Sequence, residues 1–223
     1  MLSRRQKCMK LGRRFVSIAT ILGSLTALLP SQAQTVTGYV DKVFMGGFKY
    51  TLIANPFNTT NNTLAVLFSH LPPGARLLKW DVNLMDFTMF TKVPVGSGWS
   101  PPSGAAATFH PGEAAFVLLP GGDLTNRFAG EVLQGNLTNR FVRGWNLVGN
   151  MLPDSGSITQ LQLNPPLSSI ILKWDTAIQD YILYSKCDVG FGWCPSMPTI
   201  GVAEGFFLRT SVPFEWVRNF PAP

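Results

Sequence analysis

Chemically versatile side chains are scarce in this chain of 223 residues. Charged residues make up 13% of the sequence, and there are only two histidines and three cysteines. Zinc would find too few His and Cys ligands at suitable spacing. There is no G-x-S-x-G motif around a serine nucleophile, and no phosphate-binding glycine loop ahead of a helix. These absences argue against metal-dependent, serine-hydrolase and nucleotide-dependent chemistry, so we expect no metal and no cofactor.

Long apolar runs are also missing beyond the N-terminus. The apolar stretch from Phe15 to Leu29 is shorter than the ~20 residues of a membrane-spanning helix. Six basic residues precede it, and Pro30 and the small residues of Ser31-Gln32-Ala33 follow it. This order is typical of a secretory signal peptide. We therefore predict a signal helix in residues 1–33 and a mature chain from Gln34, with an uncleaved N-terminal anchor as the alternative.

The leader also explains the basic charge of the precursor. The whole chain has 18 Lys and Arg against 12 Asp and Glu, a formal charge of +6. Six of the basic residues and none of the acids precede Gln34, so the mature chain has 12 of each and no net charge. A neutral chain has no basic footprint for nucleic acid. We expect no nucleic-acid partner, and no membrane association after cleavage. The arginine pairs of the leader lack the full twin-arginine motif, which favours the general secretory pathway.

The mature chain contains an internal duplication. Residues 78–101 align without a gap to residues 172–195, with 11 of 24 positions identical, starting from the repeated LKWD. Weaker matches pair residues 50–55 with 145–150 and residues 111–116 with 202–207. A repeat of this kind predicts one structural unit present twice. We place the units at residues 34–129 and 130–223, with the strand near Phe128 to Leu133 ending one unit and beginning the next.

The hydrophobic pattern within each unit has the period of a β-strand. Phe87, Met89 and Thr91 alternate with Thr88, Phe90 and Lys92, and the second copy repeats this pattern, so both faces of these strands carry apolar groups. Abundant Gly and Pro favour short strands and tight turns. We predict an all-β fold of two tandem, pseudo-symmetric, small barrel-like or sandwich-like units with about five or six short strands each. A short helix is expected near residues 63–68.

Two cysteines remain after the leader, and both belong to the second unit. In the ungapped alignment Cys187 replaces Val93 and Cys194 replaces Ser100. Two such changes at opposite arms of one loop favour a disulfide, as expected for an exported protein. The alternative is a metal site, for which Asp188 is the nearest further ligand.

Three acidic positions occur in both units: Asp81/Asp175, Asp86/Asp180 and Glu113/Glu204. An acid kept in both copies is most simply explained by turn capping or by a hydrogen bond to the backbone. We therefore predict no catalytic residues. The alternative is a hydrolase of the glycosidase type, which needs two carboxylates facing each other across a cleft between the units.

Tryptophans are the best candidates for ligand contact. Trp99 and Trp193 end the two Gly-rich loops. An exposed indole there would stack on a sugar ring or contact a partner protein. In the alternative, each tryptophan fills the end of its own unit.

The segments GWNLVGN (residues 144–150), KWD (173–175) and AEGFFL (203–208) resemble a repeated β module of exported bacterial proteins. The pattern of that module is roughly GWNLIGNP, a central WD and a closing PGEGFF. The first unit matches it less closely, because Ala114 and Ala115 replace the glycine-aromatic step. The resemblance implies an extracellular, all-β accessory or surface protein, and it supplies no catalytic residues.

Together these features predict a secreted or surface-associated, non-enzymatic β protein that acts in binding or in envelope structure. The expected partners are a polysaccharide or another envelope protein. The expected location is extracellular or on the cell surface, with the periplasm as the alternative. A purely structural spacer in a larger envelope assembly is the third hypothesis beside binding and hydrolysis.

Overall fold

The computed structural model describes residues 35–96, 98–187 and 192–221, so the predicted signal peptide lies outside the described residues. The fold is all-β, as predicted. Within these residues the helical segments are one turn each: α1, Leu64–Leu67, and a 3-10 helix, Pro102–Ala105. The first lies within the predicted short helix. In the described part of the chain, no helix is both long enough and apolar enough to cross a membrane.

The first repeat consists of one five-stranded antiparallel sheet and a two-stranded ribbon. Its strands are β1 (Thr37–Phe44), β2 (Tyr50–Ala54), β3 (Arg76–Asp81), β4 (Asp86–Lys92), β5 (Trp99–Ser100), β6 (Ala114–Leu118) and β7 (Leu124–Glu131). The strand order in the sheet is β2-β6-β3-β4-β5, and β1 pairs with β7 along its whole length. The five strands of the sheet match the predicted number, and the ribbon is additional.

The second repeat reproduces this topology. Its strands are β8 (Gly135–Phe141), β9 (Gly144–Gly149), β10 (Gly156–Ser157), β11 (Ile170–Asp175), β12 (Asp180–Lys186), β13 (Trp193–Cys194), β14 (Thr199–Ile200), β15 (Gly205–Thr210) and β16 (Phe214–Phe220). The sheet order is β9-β15-β11-β12-β13, and β8 pairs with β16 as the ribbon. Strand for strand, this order equals that of the first sheet. The short pair β10–β14 is found in this repeat, where α1 has no helical counterpart.

The prediction of one strand shared by both repeats is wrong. β7 pairs with β1 in the first ribbon, whereas β8 is a separate strand that pairs with β16 in the second. Gly135, at the start of β8, has a φ of +87°. This left-handed conformation, which favours glycine, interrupts the extended chain. The boundary predicted after Ala129 falls inside β7.

In each sheet the strand next to the edge strand is buried on both faces, which explains why β6 consists only of apolar residues. In β6, Val117 faces the core of the first repeat, whereas Phe116 faces the other sheet. In β15, Phe206 faces the core of the second repeat and Phe207 faces the first sheet. Successive side chains of a strand point to opposite faces. The apolar residues on both faces of the strands therefore form two repeat cores and a third core between the sheets.

Candidate functional site

An aromatic junction joins the two sheets. It consists of eight rings, four from each repeat: Tyr50, Trp80, Phe87, Phe116, Trp145, Trp174, Tyr181 and Phe207. The contacts obey an approximate two-fold axis. Trp80 meets Phe207 edge-on at 5.3 Å between ring centroids, and the equivalent pair, Trp174 and Phe116, meets edge-on at 5.1 Å. Edge-to-face pairs of this kind add about 0.5–1.5 kcal/mol each beyond the area they bury.

Reciprocal hydrogen bonds reinforce the junction. The Trp80 indole donates to the carbonyl of Trp145 at 3.0 Å, and the Trp174 indole donates to the carbonyl of Tyr50 at 2.9 Å. Tyr50 and Trp145 are themselves equivalent positions. The repeated WD motif therefore supplies a ring and a donor that satisfies a backbone carbonyl at the edge strand of the opposite sheet.

Backbone contacts follow the same symmetry. The Ala54 amide donates to the Ala203 carbonyl at 3.1 Å, and the Gly149 amide donates to the Gly112 carbonyl at 2.9 Å. In both cases the end of an edge strand meets the turn that precedes the opposite central strand. The two sheets are thus joined through pairs of equivalent contacts.

Glycine and alanine alternate at the axis because two methyl groups do not fit. Equivalent positions 54 and 149 touch each other there, and a Cβ added to Gly149 would lie 2.0 Å from the Ala54 Cβ. Positions 114 and 205 are a second such pair: a Cβ on Gly205 would lie 2.8 Å from the Ala114 Cβ. In the first repeat Ala114 replaces the glycine of the module pattern. Its methyl group fits against Gly205 of the second repeat, which has no Cβ.

A cleft opens beside this junction. It has a volume of about 270 Å³ and is lined by six side chains from both sheets: Tyr50, Leu78, Phe87, Phe116, Trp174 and Tyr181. Two residues further along the same strand faces, Met89 is 46% exposed and Leu183 is 50% exposed. The cleft is therefore an apolar concavity with rigid aromatic walls and further apolar surface on both strands.

Two hydrogen bonds with Gln179 hold Tyr50, one of the two tyrosines that line the cleft. The Tyr50 amide donates to Gln179 Oε1 at 2.7 Å, and Gln179 Nε2 donates to the Tyr50 carbonyl at 3.0 Å. The counterpart of Gln179 is Met85, whose side chain lies against Gly144. Burial, and then the charge of Asp180, raises the pKa of Tyr181 to about 12. The Tyr181 phenol therefore stays protonated at neutral pH, and this wall carries no charge.

The repeated glutamates hold turns together. Glu113 accepts a hydrogen bond from the His110 amide at 2.6 Å and pairs with Lys79 at 3.2 Å. Its counterpart Glu204 accepts from the Gly201 amide at 2.6 Å and pairs with Lys173 at 3.1 Å. Each carboxylate is thus bound to a backbone amide and to a lysine on the neighbouring strand.

The repeated aspartates cap the two hairpins. Asp81 Oδ1 accepts from the amides of Asn83 and Leu84 at 2.8 and 3.3 Å. Asp175 does the same in the β11–β12 turn, with distances of 2.8 and 3.4 Å. Asp86 and Asp180 each accept from the next backbone amide at 2.7 Å. Backbone capping, as predicted, accounts for all six repeated acids.

Of the two alternatives for the loop tryptophans, the structure shows buried indoles. Trp99 is 2% exposed and Trp193 is 5% exposed. Both begin two-residue strands that pair with the end of β4 or β12, and this pairing turns the ring into the core of its own repeat. The Lys92 ammonium lies 5.1 Å from the Trp99 ring centroid. The alternative prediction, a tryptophan that fills the end of its unit, describes both positions, and ligand binding by these loops stays a prediction.

The predicted disulfide joins Cys187 and Cys194, whose Cα atoms are 6.4 Å apart. Among the described residues, no group of three or more His, Cys, Asp or Glu side chains is placed to hold a metal ion.

The two histidines lie apart from each other. The Nδ1 atom of His110 is 3.5 Å from the side-chain amide of Asn62. Burial, and then the nearby charge of Lys92, lowers the pKa of His70. These two histidines belong to separate environments of the first repeat.

The cleft was not predicted from the sequence, although the sequence contains an indication of it. The apolar residues on both faces of β4 and β12 indicated a second buried surface, but not which surface covers it. Comparisons with protein-family models, with curated proteins and with solved structures find no match for this chain. Fold and site alone define its class: an all-β protein of two tandem sheet units with one disulfide.

Proposed function

We propose that this is a secreted or surface-associated, non-enzymatic β protein that acts by binding, and that the aromatic cleft holds an apolar anchor side chain of an envelope or extracellular protein partner. The observation that carries the proposal is the cleft itself: six apolar or aromatic side chains from both repeats around a volume of about 270 Å³. Buried pockets that accept one large anchor side chain are the energetic centres of protein interfaces.

The repeated carboxylates all accept hydrogen bonds from backbone amides, which supports a binding function over hydrolysis. A glycosidase needs one carboxyl group with a free proton and a second that faces the substrate. All six repeated acids instead bind backbone amides, and the cleft is lined by no carboxylate. The disulfide and the N-terminal leader pattern support an extracytoplasmic location.

A substitution that fills the cleft tests the proposal. Leu78→Phe enlarges a lining residue, whereas Leu172→Phe makes the same change at the equivalent position, which does not line the cleft. The aromatic probe 1-anilinonaphthalene-8-sulfonate is expected to bind the mature protein. Its affinity for Leu78→Phe is expected to be about tenfold weaker, a loss of about 1.4 kcal/mol, because the larger side chain occupies space that the probe needs.

Affinity capture from an envelope extract of the source organism extends the test to the natural partner. A protein retained by the wild type and by Leu172→Phe, but lost by Leu78→Phe, is the expected result. Equal probe binding and equal capture by the two variants would contradict a role for the cleft. Thermal denaturation of both variants checks that any loss does not come from unfolding.

A further inference from the structure

A long groove of mixed polar and apolar lining runs along the ribbon of the first repeat. Two adjoining cavities of about 450 and 420 Å³ share Thr59 and Ala129 as walls. One side of the groove is the outward face of β7, and the other is the segment from Asn58 to His70. Both volumes fall within the range of ligand pockets. We call this feature the hydroxyl groove.

Five hydroxyl side chains line the hydroxyl groove: Thr37, Thr59, Thr60, Ser69 and Thr125. Thr59 donates to Asn62 at 2.9 Å. In the part of the chain that the structure describes, the other four hydroxyls make no hydrogen bond. Each hydroxyl can donate one hydrogen bond and accept two. The groove therefore offers several hydroxyl groups that can each donate and accept hydrogen bonds.

The charges of the groove are largely neutralised. Arg127 makes a bidentate pair with Asp41, with both bonds at 2.7 Å. Burial, and then the nearby charge of Lys92, lowers the pKa of His70, so this imidazole is neutral at pH 7. Glu131 adds one carboxylate at the far end. Such a surface favours an uncharged ligand with many hydroxyl groups over an anion or a cation.

An exposed aromatic ring, that of Tyr39, lies on the same face of the ribbon as the hydroxyl groove. Tyr39 pairs with Ala129 across the ribbon, so its side chain lies on the same face as the groove. Tyr39 is 65% exposed, and the central carbon of the Arg127 guanidinium lies over one face of its ring, 4.4 Å from the centroid. The Asp41 pair fixes the guanidinium, which in turn restrains the ring. A restrained, exposed ring next to hydroxyl groups suits the apolar C–H face of a sugar.

The second ribbon lacks these groups. In the equivalent register, Asn136 stands for Tyr39 and Asn219 for Ala129, whereas Val217 stands for Arg127. Residues that the repeats share hold the sheets and the junction. The groove consists of residues that they do not share, which indicates a role other than holding the fold.

From this geometry we propose that the hydroxyl groove binds a neutral oligosaccharide, with Tyr39 stacked on one sugar ring and the threonine and serine hydroxyls bonded to sugar hydroxyls. This site is separate from the cleft of the proposed function and does not depend on it.

Isothermal titration of the mature protein with neutral hexasaccharides tests this proposal. The probes are cello-, xylo-, malto- and laminarihexaose, with hexagalacturonate as the acidic comparison. At least one neutral probe is expected to bind, and Tyr39→Ala is expected to weaken it about tenfold, since a stacked ring contributes about 1.4 kcal/mol. Tyr39→Phe keeps the ring and is expected to retain binding. Thr125→Val removes one hydroxyl at nearly constant volume and is expected to weaken binding several-fold.

The matched control is Asn136→Ala, at the equivalent place on the second ribbon, which is expected to leave the affinity unchanged. Leu78→Phe, which fills the cleft, is expected to leave it unchanged as well, so a failure of the cleft and a failure of the groove are distinguishable. The proposal is overturned if no neutral hexasaccharide binds at millimolar concentration, if only hexagalacturonate binds, or if Tyr39→Ala and Thr125→Val bind as tightly as the wild type. Circular dichroism verifies the fold of each variant.

Discussion

The two repeats have sheets of identical strand order, but the inward-facing residues of their ribbons differ in chemical type. On β7, Asn126 and Phe128 point into the core, and Trp216 and Arg218 occupy the matching positions of β16. Arg218 is buried and pairs with Asp154 at 2.5 Å, so the second repeat holds an ion pair where the first holds a phenyl ring. The second repeat also has the disulfide, whereas the first has α1 and the hydroxyl groove.

This difference separates the scaffold from the regions that have diverged. At the junction most contacts have an equivalent in the other repeat, such as the Trp80–Phe207 and Trp174–Phe116 ring pairs, because a change on one side alters the fit on the other. The ribbons and loops contact mainly their own repeat, so each has diverged independently. We therefore expect the ribbons and loops, rather than the junction, to contain the stabilising interactions and binding sites that differ between the two repeats.

The axis of the junction offers the largest expected effect. Gly149→Ala places a Cβ 2.0 Å from the Ala54 Cβ, where both residues lie on buried strands. Overpacking of this kind forces backbone shifts, and we expect a loss of about 3 kcal/mol in the free energy of unfolding. Urea denaturation followed by tryptophan fluorescence measures it.

Exchanging the two residues is the control. In Ala54→Gly/Gly149→Ala the methyl group moves to the other repeat. The next nearest atoms to the new Cβ are the Cα of residue 54 and the Glu204 carbonyl oxygen, both at 3.4 Å, an ordinary contact. We expect the exchange to recover most of the lost stability. An exchange variant no more stable than Gly149→Ala would refute the complementarity of alanine and glycine at the axis.

The disulfide offers an intermediate effect that is confined to the second repeat. Cys187→Ser/Cys194→Ser frees a short loop, and the entropy of closing such a loop corresponds to about 2.5 kcal/mol of stability. Urea denaturation with and without a reducing agent measures this loss in the wild type, and the double variant should not respond to the reducing agent.

The equivalent cross-link in the first repeat sharpens the comparison. Val93→Cys/Ser100→Cys introduces cysteines at the aligned positions, and mass spectrometry without reduction is expected to show a second disulfide. Formation of that bond with a gain in stability would support equivalent loop geometry. A pair that stays reduced in oxidising buffer would show that the two loops differ.

Much of the fold was predictable because its signals are local or repeated. Alternation in β4 and β12 identified strands, and the LKWD repeat identified two copies of one sheet. The capping role of Asp81 and Asp175 followed from their presence in both copies. Cys187 and Cys194 were recognisable because both replace unrelated residues at aligned positions.

The junction and the sites depend on packing that the sequence does not encode locally. Which faces of the sheets meet is decided by the contact of Trp80 and Trp174 with the opposite repeat, far away in the chain. Glycines flank the loop tryptophans, so the sequence left open whether the indoles are exposed or buried, and two-residue strands fold Trp99 and Trp193 inward. The hydroxyl groove combines segments of the first repeat with no common motif, so single residues gave no signal for it.

The smallest predicted effect concerns a single hydroxyl at the cleft. Burial, and then Asp180, raises the pKa of Tyr181 from 10.0 to about 12, whereas the equivalent Phe87 has no ionisable group. Between these two values the unfolded chain ionises this tyrosine and the folded chain does not. The contribution of the neutral phenol to stability is therefore complete below pH 10 and is lost as the pH rises through about 12.

Tyr181→Phe should abolish this part of the alkaline destabilisation, because Phe87 shows that a phenyl ring fits the equivalent place. With allowance for solvent screening of a half-buried group, we expect a difference between wild type and variant of about 1 kcal/mol. Urea denaturation of both proteins near neutral pH and near the raised pKa isolates it, since lysines and the other tyrosines titrate alike in the two proteins. If the stability difference is the same at both pH values, the phenol is as well solvated in the folded protein as in the unfolded chain, and the tyrosine wall of the cleft is open to water.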